Sequence, residues 1–273
     1  MIDNTFTADS YLQRIGHDGN VHHSEDGLER LQRAQLLNIP FENFDVLLHG
    51  AINLEPRHVF NKLIHRRRGG YCFELNGLFL AALHCFGFAA RPLLARVHRH
   101  GSPSGRGHQL SLVTLHEKQF ICDVGFGIPF LPAPLPLECN RTMLFAGKSF
   151  RLTEVRPFGI MLQQARDDEW LNLYSFDLGH VCSGDIAYGN HYTSTHPNSI
   201  FTANRIGARL LPDGEISLFN TTFKRRTHSE EEVIELRDDE AYLDVLRHHF
   251  GIELDVPIGA LPPMTLKETL PPF

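Results

Sequence analysis

No two of the five cysteines (Cys72, Cys85, Cys122, Cys139 and Cys182) stand in a C-x-x-C spacing, and their number is odd. The pattern argues against both a disulfide framework and a zinc knuckle, fits a reducing compartment and leaves one thiol to be reactive. Long apolar runs are also missing. The most apolar stretch, residues 77–90, is too short for a bilayer and is interrupted by His84, Cys85 and Gly87, which suits a buried helix. Met1-Ile2-Asp3-Asn4 is acidic and polar where a secretory leader is basic and then apolar, so a cytoplasmic protein with no membrane partner is expected. Clustered positive charge is scarce: apart from Arg66-Arg67-Arg68 and Lys224-Arg225-Arg226 the bases are scattered, the net charge is −6, and nucleic acid is not an expected partner. Gly125-Phe126-Gly127 lacks the third glycine of a dinucleotide fingerprint, and Gly101-Ser102-Pro103-Ser104-Gly105 has proline where a nucleophile elbow needs serine. His116-Glu117 has no second histidine three residues on, and no metal is expected.

What is present is the balance of an ordinary globular protein, 42% hydrophobic and 21% charged. At 273 residues, two or three packed subdomains are expected rather than one core. The first ninety residues carry helical punctuation: Thr7 before residues 8–15, Ser24 before Leu28, Leu31 and Gln35, and Val59, Leu63 and Ile64 on one stripe after Pro56. A further helix starts near Cys72, runs through Leu75, Leu78, Phe79, Ala82 and Leu83, and stops at Gly87. From Arg91 the period shortens. Residues 109–115 and 119–124 read as an antiparallel pair, and 150–155, 160–165 and 170–176 continue the pattern toward a small barrel or strongly bent sheet. Pro129, Pro132, Pro134 and Pro136 mark a stiff extended crossing that cannot be an inner strand. Beyond Gly179 come a short helix to Thr195, strands over 201–211 and 215–221 around Pro212-Asp213-Gly214, and a helix over 238–250, before a poorly specified tail, 257–273.

Cys72 follows Arg68-Gly69-Gly70-Tyr71, a side-chain-poor turn that delivers a thiol to a helix start. There the amides and the dipole favour a thiolate. The other reading is a small buried core residue, the commoner fate of a free cysteine. His108 follows a glycine-rich loop at the start of a strand, where an imidazole can face a cleft or serve the surface, as any of 17 histidines can. Asp123 stands between Phe120-Ile121-Cys122 and Val124-Gly125-Phe126, an apolar setting in which a carboxylate needs a partner. Thiol, imidazole and acid in this order match a nucleophile, its base and an orienting group. A tight turn centred on Glu117-Lys118 pairs Leu112 with Asp123 and leaves His108 about four residues away, so the constellation requires a bulge or a shifted turn.

Pro40-Phe41-Glu42-Asn43-Phe44-Asp45-Val46, the run from Arg68 through Cys72-Phe73-Glu74-Leu75-Asn76 to Gly77, and Asp123-Val124-Gly125-Phe126-Gly127 resemble motifs of the arylamine N-acetyltransferases. Asn190-His191-Tyr192-Thr193-Ser194 with Pro197, Ser199 and Phe201 is similar to a further motif of that family. The resemblance implies an α+β fold in three domains with a papain-like core. An N-terminal helical bundle (1–88) carries the nucleophile, a central β-barrel (89–183) carries the histidine and aspartate, and a C-terminal α/β lid (184–273) completes the chain. It implies acetyl coenzyme A as co-substrate and aromatic amines or hydrazines, or the oxygen of arylhydroxylamines, as acceptors. Transfer is ping-pong through an acetyl-cysteine, with Cys72 acylated, His108 as base and Asp123 orienting it. Relatives often carry histidine where Gln35 stands and Thr or Arg where Gln109 stands, which leaves acceptor preference open.

On that reading Phe126, Phe201 and Val97 are candidate walls of an aromatic acceptor pocket, or else core packing. For the coenzyme A phosphates, the Ser102–Gly107 loop offers amides, with Ser104, Gly105, Arg106 and Gly107 as candidate contacts. Lys224-Arg225-Arg226 offers point charges, or is only a solvated strand end. Two other enzymes use the same three groups: a thiol hydrolase or transglutaminase-like protein, and a relative that closes amide bonds on a biosynthetic intermediate.

Overall fold

The structure is a computed structural model that describes residues 6–98, 103–145, 147–227 and 229–262. Gly101 and Ser102 of the glycine-rich loop and residues 263–273 of the tail lie outside the described residues. Helices come first: α1 (Ala8–Ile15), α2 (Glu25–Asn38), α3 (Phe44–His49), α4 (Pro56–Phe60) and α5 (Cys72–Cys85), with a two-residue strand β1 (Phe41–Glu42) before α3. α2 starts where Ser24 Oγ accepts the Gly27 N–H at 3.1 Å, and it buries Leu28, Leu31, Gln32, Gln35 and Leu36, one face of the helical period. α5 is enclosed on nearly every side, since Phe73, Glu74, Leu75, Asn76, Leu78, Phe79, Ala82 and Leu83 are all buried. It ends at Cys85, and Gly87 turns the chain away with a φ of 82° that a Cβ would oppose. No described helix is long and apolar enough to cross a membrane.

Strands β2 (Ala89–Val97), β3 (His108–Leu115), β4 (Lys118–Cys122), β5 (Leu135–Pro136), β6 (Met143–Phe145), β7 (Lys148–Val155), β8 (Gly159–Arg166) and β9 (Glu169–Phe176) form one eight-stranded sheet, ordered β5-β4-β3-β2-β9-β8-β7-β6. A bridge between Cys139, just past β5, and Leu152 of β7 draws the far ends together, so the sheet curls into a nearly closed barrel. Pro136 lies in the edge strand, where its missing N–H costs no ladder bond. Alternation along the strands divides two cores. Leu110, Leu112 and Ile121 face the barrel interior with Leu93, Phe150, Leu162 and Phe176, whereas Val113, Leu115, Phe120 and Cys122 pack with the helices around α5.

The hairpin register differs from the sequence expectation. Leu112 pairs with Ile121 and Leu115 with Lys118, so the turn is His116-Glu117, one residue earlier than expected, with His116 at a φ of 54°. The ladder continues toward Leu110 opposite Asp123, and no bulge interrupts it. Asp123 itself lies one residue past the end of β4 rather than inside the strand.

The remaining chain gives α6 (Ser183–Thr195), α7 (Ile200–Ala203), β10 (Ile206–Leu211), β11 (Gly214–Phe219), β12 (Thr222–Thr227), β13 (Glu231–Glu235) and α8 (Asp239–Val245). The single strand expected over 201–211 splits into α7 and β10, and two unexpected strands follow β11. β1 joins these strands in a five-stranded sheet, β1-β10-β11-β12-β13, so the first part of the chain supplies an edge to the last. Ile216, Leu218 and Phe223 pack there against Tyr242, Leu246 and Phe250, with Phe44 of α3 in the same core.

Asn43 secures this junction. Its Nδ2 donates to the carbonyls of Phe201 and Asn204, both at 2.7 Å, and its Oδ1 accepts the Ile206 N–H at 2.7 Å. All three bonds are lost in Asn43→Ala, which leaves polar backbone groups in a buried place. We expect urea unfolding to register a loss of about 3 kcal/mol.

Candidate active site

Cys72 is the first residue of α5, and its surroundings fix that start from both sides. The Tyr71 N–H donates to Glu74 Oε2 at 3.1 Å, closing the first turn. Behind it, Lys62 Nζ reaches Glu74 Oε1 at 2.9 Å and Asp45 Oδ2 at 3.0 Å, while Arg68 holds Glu42 Oε1 at 2.8 Å and Asp45 Oδ1 at 2.9 Å. Burial works against the Lys62 charge, but the carboxylates of Glu74, Glu42 and Asp45 outweigh it and hold the ammonium protonated. Cys72 is only 3% exposed. Its Sγ lies 3.7 Å from the Gly107 carbonyl, at the foot of the loop that leads into β3.

The structure brings Cys72, His108 and Asp123 together. His108 opens β3 on the barrel-facing side, in step with Leu110 and Leu112, and Asp123 is in step with Ile121 on the same side. A diagonal pair across the hairpin is therefore within side-chain reach, and His108 Nε2 meets Asp123 Oδ2 at 2.7 Å. With Nε2 turned to the carboxylate, Nδ1 is the ring nitrogen left for the thiol. Burial lowers the His108 pKa, but the Asp123 charge, its hydrogen bond and the Cys72 sulfur outweigh burial and raise the pKa to about 10. Burial pushes Asp123 the other way, upward, and His108, Asn76 and the Gly125 N–H together hold it below the ordinary carboxylate value. An imidazolium flanked by an acid and a thiol is an arrangement that can pass a proton.

Three further residues serve this site, and the sequence reading did not assign them. Asn76, one turn after Cys72 on α5, donates from Nδ2 to Asp123 Oδ1 at 3.0 Å and to the Gln109 carbonyl at 2.7 Å, and its Oδ1 accepts the Val124 N–H at 3.1 Å. The i, i+4 spacing of Cys72 and Asn76 was the available signal. Gly125 donates its N–H to Asp123 Oδ1 at 2.9 Å, and a Cβ on it would lie 2.9 Å from Cys72 Cα and 2.7 Å from Asn76 Nδ2. Tyr174 of β9 packs its ring 5.0 Å from His108 and 5.0 Å from Phe126, which itself stands edge-on to His108 at 5.1 Å.

A cavity of about 720 Å³ opens over Cys72 and His108, walled by the 104–107 loop, residues 125–128, α6, α7 and strands β10 and β11. Phe126, Phe201 and Val97 all line it, as do Ser104, Gly105, Arg106 and Gly107. Two of the four loop amides expected to form an anion nest are engaged within the protein: Ser104 N–H with the Val97 carbonyl at 2.9 Å, and Gly107 N–H with the Gly105 carbonyl at 2.8 Å. None of Lys224, Arg225 and Arg226 lines the cavity, and Arg225 and Arg226 face Asp213 and Glu231. Gln35 and Gln109 are buried away from it as well. Gln35 accepts from Tyr11 Oη at 2.7 Å and donates to the Leu75 carbonyl at 3.0 Å, and neither glutamine lines the cavity. Cys182 also stands at a helix start, that of α6, and is exposed, so Cys72 is not alone in that position.

Residues 26–258 match the model of a family described as N-acetyltransferase. An arylamine N-acetyltransferase / N-hydroxyarylamine O-acetyltransferase of Salmonella typhimurium is 39% identical over 83% of this chain and 82% of its own. The solved structure of the Salmonella typhimurium arylamine N-acetyltransferase superposes with a TM-score of 0.86 at 35% identity, covering 90% of this chain and 92% of that one. Mycobacterium marinum arylamine N-acetyltransferase in complex with CoA superposes with a TM-score of 0.85 at 33% identity, covering 90% and 93%.

Gly125→Ala forces its methyl against the first turn of α5. A displacement there of about an ångström should lower kcat by about a hundredfold while the melting temperature moves by only a few degrees. The raised His108 pKa gives a second expectation. A histidine whose folded pKa lies above the ordinary 6.5 contributes stability that is whole below that value and is lost as pH rises through about 10. The difference in melting temperature between the wild type and His108→Gln should therefore be largest near about pH 6 and shrink toward about pH 10; a constant difference overturns the assignment.

Proposed function

The chain belongs to the arylamine N-acetyltransferase family, and from that premise we propose that Cys72, His108 and Asp123 carry acetyl from acetyl coenzyme A to the nitrogen of an aromatic amine or hydrazine. The observation that carries the reading is the buried Asp123–His108 contact of 2.7 Å beside a helix-start thiol, opening into an aromatic-walled cavity. The wider layout assigned here is a helical unit (1–88), a barrel unit (89–183) and an α/β lid (184–273), with α5 against β2 and β3 as the papain-like core. All five cysteines are unpaired, and a reducing cytoplasm is the compartment this reading takes.

The Cys72 thiolate attacks the thioester carbonyl of acetyl coenzyme A. A tetrahedral oxyanion forms, then collapses as the coenzyme A sulfur leaves, and His108 supplies the proton that sulfur takes up. Backbone amides at the α5 start are assigned to the developing oxyanion, a role that suits a helix N-terminus. The acetyl-cysteine then faces a neutral amine, whose nitrogen attacks the same carbonyl carbon while His108 Nδ1 collects its proton and the Cys72 sulfur departs. Asp123 keeps the ring oriented and offsets its charge through both halves. Phe126, Phe201 and Val97 give a flat ring apolar walls, and Phe126, edge-on to His108, places such a ring next to the base. An arylhydroxylamine oxygen is delivered to the carbonyl in the same way. For the donor, the open amides of Gly105 and Arg106 and the Arg106 guanidinium are the assigned contacts, with Ser104 and Gly107 shaping the loop.

Incubation with acetyl coenzyme A and no amine, followed by peptide mass analysis, should find one acetyl group on Cys72 and none on the exposed Cys182. The label should persist until an arylamine is added, then move to it. Rapid loss to water without amine overturns the reading in favour of a thiol hydrolase.

A further inference from the structure

Arg106 is the one lysine or arginine among the described residues that line the cleft. Its side chain is already taken: Nη2 pairs with Asp177 Oδ2, with the two side chains 44% and 43% exposed. Asp177 follows directly on β9, and its other oxygen accepts the Gly179 N–H at 2.9 Å. Arg91 braces the same turn, donating to the Leu178 carbonyl at 2.8 Å and the Gly179 carbonyl at 3.2 Å. The acid is thus held in place by its own turn. The backbone of Arg106 is fixed as well, because its carbonyl abuts α6 so closely that a Cβ on Gly189 would lie 2.9 Å from it. Only the guanidinium has freedom to exchange partners. Asp185, which lines the same mouth with His180, accepts the Cys182 N–H through Oδ2 at 2.9 Å and feels the Arg106 charge without a direct ion pair to it.

An exposed ion pair is weak, whereas a phosphate presents more charge and accepts a guanidinium through two parallel bonds. We propose that Asp177 is the internal counter-anion of the donor site, holding Arg106 until a phosphate of coenzyme A displaces it and recapturing Arg106 when coenzyme A leaves. The inference rests on the proposed function and deepens it. In a double-displacement reaction the spent donor must vacate the mouth before the amine enters, and an acid waiting beside the cation trades donor affinity for release. Asp177 is on this view a residue that sets donor affinity and has no part in the chemical step.

The test is Asp177→Asn, which removes the charge and keeps an Oδ1 to accept the Gly179 N–H; Asp177→Ser is a second neutral variant. Turnover is followed with acetyl coenzyme A and with 4-nitrophenyl acetate, an acetyl donor that carries no phosphate. Without Asp177 the KM for acetyl coenzyme A and the inhibition constant of free coenzyme A should each fall roughly two- to fivefold, the range set by one exposed pair. The rate of acetylation by 4-nitrophenyl acetate should not change. In an Arg106→Gln background the Asp177→Asn effect should vanish, since the two residues act through one contact. An unchanged KM for acetyl coenzyme A in variants that keep the wild-type melting temperature overturns the proposal, and so does an equal shift with both donors, which points to a loosened loop. A wild-type enzyme that transfers acetyl from neither donor overturns the proposed function itself, and with it the inference.

Discussion

A carboxylate that is 1% exposed needs both a counter-charge and hydrogen-bond donors, and Asp123 takes them from three parts of the chain. His108 comes from the start of β3, Asn76 from the first turns of α5, and the Gly125 N–H from the chain just beyond. Each donor is also a fastening. Asn76 joins α5 to both β3 and the segment after β4 through the Gln109 carbonyl and the Val124 N–H. The packing of helix on barrel and the alignment of thiol with imidazole are thus consequences of one buried acid being satisfied.

The opposite side of the α5 start is held by charge rather than by a single acid. Glu42, Asp45 and Glu74 surround Lys62 and Arg68, and all but Asp45 are nearly inaccessible. Such a group is not an efficient source of stability, because desolvation consumes most of the Coulomb gain, but it tolerates few geometries. Here the geometry it selects is the approach of residues 68–71 to the helix. Gly69 belongs to the same constraint, since a Cβ there would lie 2.4 Å from the Pro40 carbonyl. The thiol is positioned between this charged brace and the Asp123 network, with little slack on either side.

Legibility in the sequence followed physical range. The α5 start at Cys72 and its stop near Gly87 were readable because caps and glycine act within a turn. Asp123 was readable because an acid among Phe120, Ile121, Cys122 and Val124 breaks an apolar run. Asn76 was not, because the groups it serves lie 33 to 48 residues further along and its motif position says nothing of its partners. The hairpin register turned on one residue: His116 accepts a left-handed φ of 54°, which moves the turn and removes the need for a bulge. β13 was invisible for another reason, since Glu231–Glu235 is exposed along its whole length and carries no alternation to announce a strand. α7 is a single turn whose residues, Ile200–Ala203, look as apolar as the strand that follows.

The wall of the cleft opposite the thiol is built from residues 188–219, and β1 reaches its sheet neighbour only after β10 exists. A chain emerging from the ribosome therefore exposes Cys72 long before it has either the acid that pairs with His108 or the far wall of the cleft. Topology thus supplies the neighbours of the thiol in a fixed order: first the imidazole, then the acid, and last the sheet that closes the cleft.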